Sequence, residues 1–315
     1  MKTFDQTPSG PSDRAVYCKL IAVTMIWGGT FVAGRLLSGA LEPLLAASLR
    51  FLLASLALLL FIACKRIPLL RPNLRQCVQL LILGFFGIFF YNLCFFYGLQ
   101  RISASRASLI VALNPAVIAL ASWLLFREQL SRRQVLGIVG CVLGAALVIL
   151  IRDPQALQGT ADGGLGDLLI FGCVLGWGVY SLFSRGLNQS LGPLHTVTYS
   201  IVLGTLMLGA ATALRGELNP QALLDLSAVQ GLSLLYLGLM GSALAYIWYY
   251  DGLRQIGATR SGVFIALNPL TAVILGALLL GEQLTLSMGL GAALILLGIY
   301  QCNKPLATLG KKRIL

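Results

Sequence analysis

The chain has 315 residues, 57% of them hydrophobic and only 11% charged, with a net charge of +12 and a mean hydropathy of +0.86. A soluble domain carries about a quarter of its residues charged, and a core of this length cannot hide so much apolar surface from water, so a soluble globular protein is excluded. The basic residues stand between apolar runs instead of in one block, which excludes a nucleic-acid footprint and fits membrane-orienting charge. Seven scattered cysteines without a CxxC pair, and a single histidine, give no basis for a disulfide framework, metal or cofactor.

In chain order, residues 1–16 are polar and rich in Pro and Ser, as expected of a disordered tail. Ten apolar runs follow, at 17–37, 43–63, 77–98, 104–126, 133–151, 166–187, 193–214, 229–250, 258–280 and 286–302. Each is close to the roughly 20 residues that a helix needs to cross the hydrocarbon, and together they predict an all-α integral membrane fold. The first unit of five spans covers 17–151, a linker covers 152–165, the second unit covers 166–302, and a basic tail closes the chain at 303–315. With the N-terminus inside, 17 Lys and Arg residues fall in the cytoplasm and 5 outside, Arg50 alone standing well within a span. The positive-inside rule therefore predicts both termini in the cytoplasm and a periplasmic linker.

The chain also repeats itself. Trp27-Gly28, followed by Arg35 and Pro43-Leu44, returns 150 residues later as Trp177-Gly178, Arg185 and Pro193-Leu194. The stretch from Gly98-Leu99 to Glu128-Gln129-Leu130 returns 154 residues later as Gly252-Leu253 to Glu282-Gln283-Leu284, identical at 14 of 33 positions, with Ala-Leu-Asn-Pro intact at 112–115 and 266–269. Five spans per copy is an odd number, so the second copy enters from the opposite face and the copies form an inverted repeat, the usual basis of alternating access around a midplane site.

Several residues in the spans can carry chemistry. Trp27 and Trp177 hold equivalent places, and from Trp177 the residues Tyr180, Ser181 and Ser184 share a helical face. Tyr246, Tyr249 and Tyr250 share another, with Asn92, Phe95 and Phe96 as counterparts. A phenol or indole facing lipid at mid-membrane leaves a polar group unpaired, so these faces are expected to look inward; Tyr250, nearer a helix end, also suits the headgroup region. Pro115 and Pro269 deny a partner to the carbonyls of Val111 and Ile265, bending both spans. Those carbonyls, with Asn114 and Asn268, can meet a polar substrate or simply mark kinks with the amides bonded to a neighbour. Arg50 needs a partner or a wet cavity and serves either substrate or structure and gating. His195, just inside a span, is a coupling group or a plain hydrogen-bonded residue. Glu128, Glu282 and Asp251 at span ends read as solvated caps or loop ion pairs. The small-xxx-small pairs Gly140/Gly144 and Gly172/Gly176 suit packing within the fold as well as a dimer seam, so monomer and homodimer both stand.

The duplicated Trp-Gly helix start, the Arg of span two, the Asn-Pro of span four and the Glu-Gln-Leu exit resemble the EamA family of the drug/metabolite transporter superfamily, twice over from about residue 17 to 302. The resemblance implies ten helices in two inverted five-helix repeats in the cell inner membrane, around a central cavity lined by helices 1, 3, 4, 6, 8 and 9. It also implies a secondary transporter moving small polar metabolites or amino acids, often outward. One departure is that Arg50 has Ser200 as its counterpart. The expected partners are the lipid bilayer and a small-molecule substrate, with Trp27, Asn92, Asn114, Trp177, Tyr180, Tyr246 and Asn268 as its contacts. The alternative is multidrug or cation efflux by proton antiport, but no Asp or Glu stands at mid-span to trade cation for proton. Proton coupling would then fall to Glu42, Asp251, His195 or Glu282 at the rim. A membrane-embedded enzyme would need a catalytic cluster, and no HExxH, P-loop or GxSxG is present.

Overall fold

The computed structural model describes residues 11–37, 40–102, 107, 110–152, 163–271, 274 and 286–303. Tail residues 1–10, Arg106, linker residues 153–162, the end of span nine with Glu282, and the basic tail beyond 303 lie outside the described residues.

The elements are helical throughout the described residues. They are α1 (Pro11–Leu37), α2 (Pro43–Cys64), α3 (Leu74–Leu83), α4 (Tyr91–Leu99), α5 (Asn114–Phe126) and α6 (Arg132–Arg152), then α7 (Gly163–Ser190), α8 (Gly192–Leu214), α9 (Pro220–Leu224), α10 (Ala228–Leu235), α11 (Ala245–Ile256), α12 (Ala258–Gly262) and α13 (Leu286–Asn303). A π-helical stretch, Gly84–Phe90, joins α3 to α4, and another, Tyr236–Leu244, joins α10 to α11. Five helical stretches are long and apolar enough to cross a bilayer: Pro43–Cys64, Leu74–Gly98, Gly164–Ser190, Gly192–Leu214 and Ala228–Ile256. Asn114–Phe126 and Gly289–Asn303 are shorter apolar helices. Their outward faces carry bare leucines, Leu60 at 64% exposure among them, which suits lipid and not water.

Two boundaries correct the sequence reading. The first helix already includes Pro11, inside the expected tail. The eighth span runs on to Ile256 and stops at Gly257, whose φ of 83° breaks the helix, so Asp251 sits within the helix instead of ending it.

Helix starts obey the duplication. Asn73 and Ser227 are equivalent, and each closes a capping box with the glutamine three residues on, Gln76 and Gln230. The connection between α8 and α10 is four residues longer than that between α2 and α3 and holds the short α9. That accounts for the change of offset from 150 to 154.

Packing is reciprocal across the copies. Helix α1 lies along α11 as α7 lies along α4; α5 packs on α7 as the 3₁₀ segment Val263–Leu267 packs on α1. Helix α2 lies along its own counterpart α8, and α6 along α13. Ser55 Oγ meets its counterpart Thr205 Oγ1 at 2.9 Å, and Trp27 meets Trp177 at 5.1 Å, so the pseudo-two-fold axis runs between these pairs. The glycine stripes are internal seams. A Cβ on Gly137 would stand 2.6 Å from the Gly298 carbonyl oxygen, one on Gly144 2.7 Å from that of Gly291, and one on Gly176 2.8 Å from that of Phe86. Small residues here let backbones touch, as helix packing in lipid requires.

Candidate functional site

On the pseudo-axis the copies leave a cavity. Trp27 and Thr30 of α1, Arg50 of α2, and Tyr91 and Phe95 of α4 wall one part; Val111, Asn114, Trp177, Tyr246, Ile265 and Asn268 wall the rest. Its free volume, counted for the centres of water-sized spheres, is about 50 Å³, room for a few waters. A small-molecule substrate larger than that needs more room.

Both Asn-Pro motifs interrupt their helices beside this cavity. In the first copy the backbone turns at Ala112-Leu113 and α5 restarts at Asn114 with Pro115 in its first turn. In the second, α12 tightens into the 3₁₀ segment Val263–Leu267 before Asn268. The carbonyls that the prolines were expected to leave free are both bonded. Asn114 Nδ2 donates to Val111 O at 2.9 Å, and the backbone N–H of Asn268 donates to Ile265 O. A side-chain amide replaces the missing N–H in one copy; an i→i+3 bond does so in the other. What remains unpaired is the amide oxygen: Oδ1 of Asn114, and Oδ1 of Asn268, are buried without a donor.

Aromatic rings form the middle of the site. Trp27 and Trp177 meet edge to face at 5.1 Å, and Tyr246 stands 6.0 Å from the first and 5.5 Å from the second. Tyr91 lies 5.8 Å from Trp177. Such edge contacts fix ring orientation beyond simple burial. The Trp27 indole donates to Gly241 O at 3.0 Å, whereas the buried Trp177 Nε1 has no acceptor in hydrogen-bond geometry.

Arg50 is 7% exposed. Its Nε donates to Ser242 Oγ at 2.7 Å, and that hydroxyl donates to Leu237 O at 2.9 Å. The guanidinium carbon lies 5.1 Å from the Phe51 ring centroid. Among the described residues no carboxylate pairs with it. A central guanidinium costs about 2.5–3.5 kcal/mol on insertion scales, so the cavity is its compensation.

The structure thus gathers Trp27, Arg50, Asn114, Trp177, Tyr246 and Asn268 around one space, with Pro115 and Pro269 at its two breaks. Asn92 and Tyr180 are buried behind the wall and do not line it. Asn92 Nδ2 donates to Ile88 O at 2.7 Å, and the Tyr180 hydroxyl lies 3.2 Å from Ser200 Oγ. His195 is also away from the cavity. Its Nδ1 and Nε2 each lie 3.1 Å from a carbonyl, those of Leu191 and Pro68. Thr30 and Tyr91 were not singled out from the sequence, whereas Phe95 was, as the counterpart of Tyr249; Thr30 could have been, since it stands one turn from Trp27. Of the acids expected at span ends, the two that are described are paired: Asp251 with Lys19 at 2.7 Å, and Glu128 with Arg185 through both guanidinium amines.

Comparison with known proteins gives this geometry a family. The EamA-like transporter family matches at residues 14–150 and again at 164–303. The chain is 29% identical to the uncharacterized transporter YyaM of Bacillus subtilis, over 91% of this chain and 93% of that protein. It is 27% identical to a Salmonella typhimurium protein named "Probable amino-acid metabolite efflux pump", over 89% of this chain and 92% of that one. A solved crystal structure superposes with a TM-score of 0.77 at 19% identity, covering 92% of this chain and 96% of its own, which shows the shared fold. With two family matches spanning nearly its whole length, the chain is a multi-pass membrane transporter, not an enzyme, and belongs to the EamA-like transporter family.

Proposed function

We propose that the chain is a secondary transporter that exports small metabolites, amino acids foremost, by alternating access around this cavity. In this reading ten helices form two inverted repeats in the cell inner membrane, with units at 17–151 and 166–302 and both termini cytoplasmic. The observation that carries it is the cavity itself: it lies where Trp27 meets Trp177, between the two Asn-Pro breaks, and both repeats wall it. Rocking one repeat against the other would open it to either face in turn. The lining offers rings, amides and one guanidinium, and among the described residues no carboxylate lines it. That suits a neutral or zwitterionic cargo over a bare cation and leaves no central proton carrier, so flow follows the cargo gradient.

Counterflow in proteoliposomes tests the reading. Radiolabelled amino acid is expected to exchange without a pH gradient. Val111→Trp or Ile265→Trp, on the cavity wall, is expected to lower exchange at least about tenfold by filling the site. Full exchange in both variants, or uptake strictly dependent on an imposed proton gradient, overturns it.

A further inference from the structure

Seen through the pseudo-axis, the cavity is not symmetric. Thr30 and Arg50 of the first copy correspond to Tyr180 and Ser200 of the second, and Gly241 corresponds to Gly87. A Cβ on Gly241 would stand 2.7 Å from Thr30 Cγ2, while one on Gly87 would stand 1.9 Å from Tyr180 Cδ2. A small residue beside a large cation in one copy is replaced by a large ring beside a small hydroxyl in the other. Tyr180 reaches across to Ser200 at 3.2 Å and fills the place that a second arginine would need.

The charge is one-sided as well, although each copy leaves an asparagine Oδ1 orphaned at the cavity. Nε of Arg50 is committed to Ser242, and its other two nitrogens have no protein partner among the described residues although the side chain lines the cavity. Two parallel N–H donors suit a carboxylate in the bidentate manner of guanidinium. Asn114, 2% exposed, gives one N–H of its Nδ2 to Val111 O, while its Oδ1, an acceptor, is orphaned.

Building on the transport reading above, we propose that Arg50 is a carboxylate subsite and Asn114 Oδ1 an ammonium subsite, with Tyr180 plugging the position of a second carboxylate subsite. The cargo is therefore an α-amino acid with one carboxylate, bound in a single orientation. An analogue without the amine leaves Asn114 Oδ1 unpaired. One without the carboxylate leaves a buried guanidinium unpaired, and a dicarboxylate has no home for its second charge.

The test is proteoliposome transport of phenylalanine and leucine, each beside its amide and its des-amino acid, with glutamate as the dicarboxylate. The unmodified protein is expected to prefer the free amino acid over both analogues at least about tenfold, because a buried polar group left unpaired discriminates strongly. Arg50→Ala is expected to bring amino acid and amide within about twofold of each other, with Arg50→Lys retaining part of the preference. Tyr180→Thr combined with Ser200→Arg is expected to raise glutamate transport at least about tenfold by unplugging and charging the second end. Equal transport of amino acid and amide by the unmodified protein, or an undiminished preference in Arg50→Ala, overturns the subsite assignment while leaving amino-acid transport intact. Transport of neither amino acid overturns the underlying reading too. The analogue panel needs no variant, so it decides even where the double variant does not fold.

Discussion

The two Asn-Pro breaks carry the same four residues and solve the same problem differently. In the first copy the side chain of Asn114 caps the carbonyl of Val111; in the second the backbone of Asn268 caps that of Ile265. The two indoles diverge likewise, Trp27 bonded to Gly241 and Trp177 without an acceptor in hydrogen-bond geometry. The copies place these breaks alike around the cavity and differ in the local backbone path and in the polar groups it carries. A transporter built this way keeps a symmetric frame while presenting an asymmetric face to its cavity.

The sharpest way to break the comparison is at its glycines. Gly87→Ala is expected to cost about 2–3 kcal/mol through collision with the buried Tyr180 ring. Gly241→Ala, against the smaller Thr30, is expected to cost about 1 kcal/mol. Thermal unfolding in detergent reads the difference, and Tyr180→Thr is expected to rescue the first variant alone. Equal losses would mean that the copies are packed alike here.

A smaller contrast lies at the amides. Asn114→Ala strips Val111 of its donor and is expected to destabilise by about 1–2 kcal/mol. Asn268→Ala leaves the Ile265 bond in place and is expected to cost less than about 1 kcal/mol. Denaturation of the two purified variants side by side checks the ranking; a costlier Asn268→Ala reverses it. Smallest of all is the indole pair. Trp27→Phe loses a hydrogen bond that Trp177→Phe does not, so it is expected to be the less stable by about 0.5–1.5 kcal/mol. No gap between the two would show that the Gly241 contact is energetically idle.

Much of the site was legible because the repeat marks it. Trp27, Trp177, Asn114 and Asn268 occupy equivalent places, and Arg50 stands out as a charge within a span. Asn92, Phe95 and Phe96 were singled out as the counterparts of Tyr246, Tyr249 and Tyr250, yet of the three Phe95 alone lines the cavity, with Tyr91 beside it. Equivalence under the repeat carries over a position and not the side chain's use: Tyr246 lines the cavity, whereas Asn92 turns its amide to the Ile88 carbonyl. Pattern also could not show that the carbonyls at Val111 and Ile265 would find donors, since those donors come from the local backbone path and not from residue type. The helix starts were harder to place than the helices, because the caps at Asn73 and Ser227 lie outside the apolar runs that announce each span.

The π-helical stretches also carry a record of descent. Gly84–Phe90 coincides, under the shift of 154, with the last seven residues of Tyr236–Leu244. A π turn is an α-helix holding one residue more than its ladder wants. A single ancestral insertion, inherited when the gene doubled, accounts for both without a second event. The wide turn is then older than the fusion of the two copies, and older than every difference between them, the contrast of Arg50 with Ser200 included.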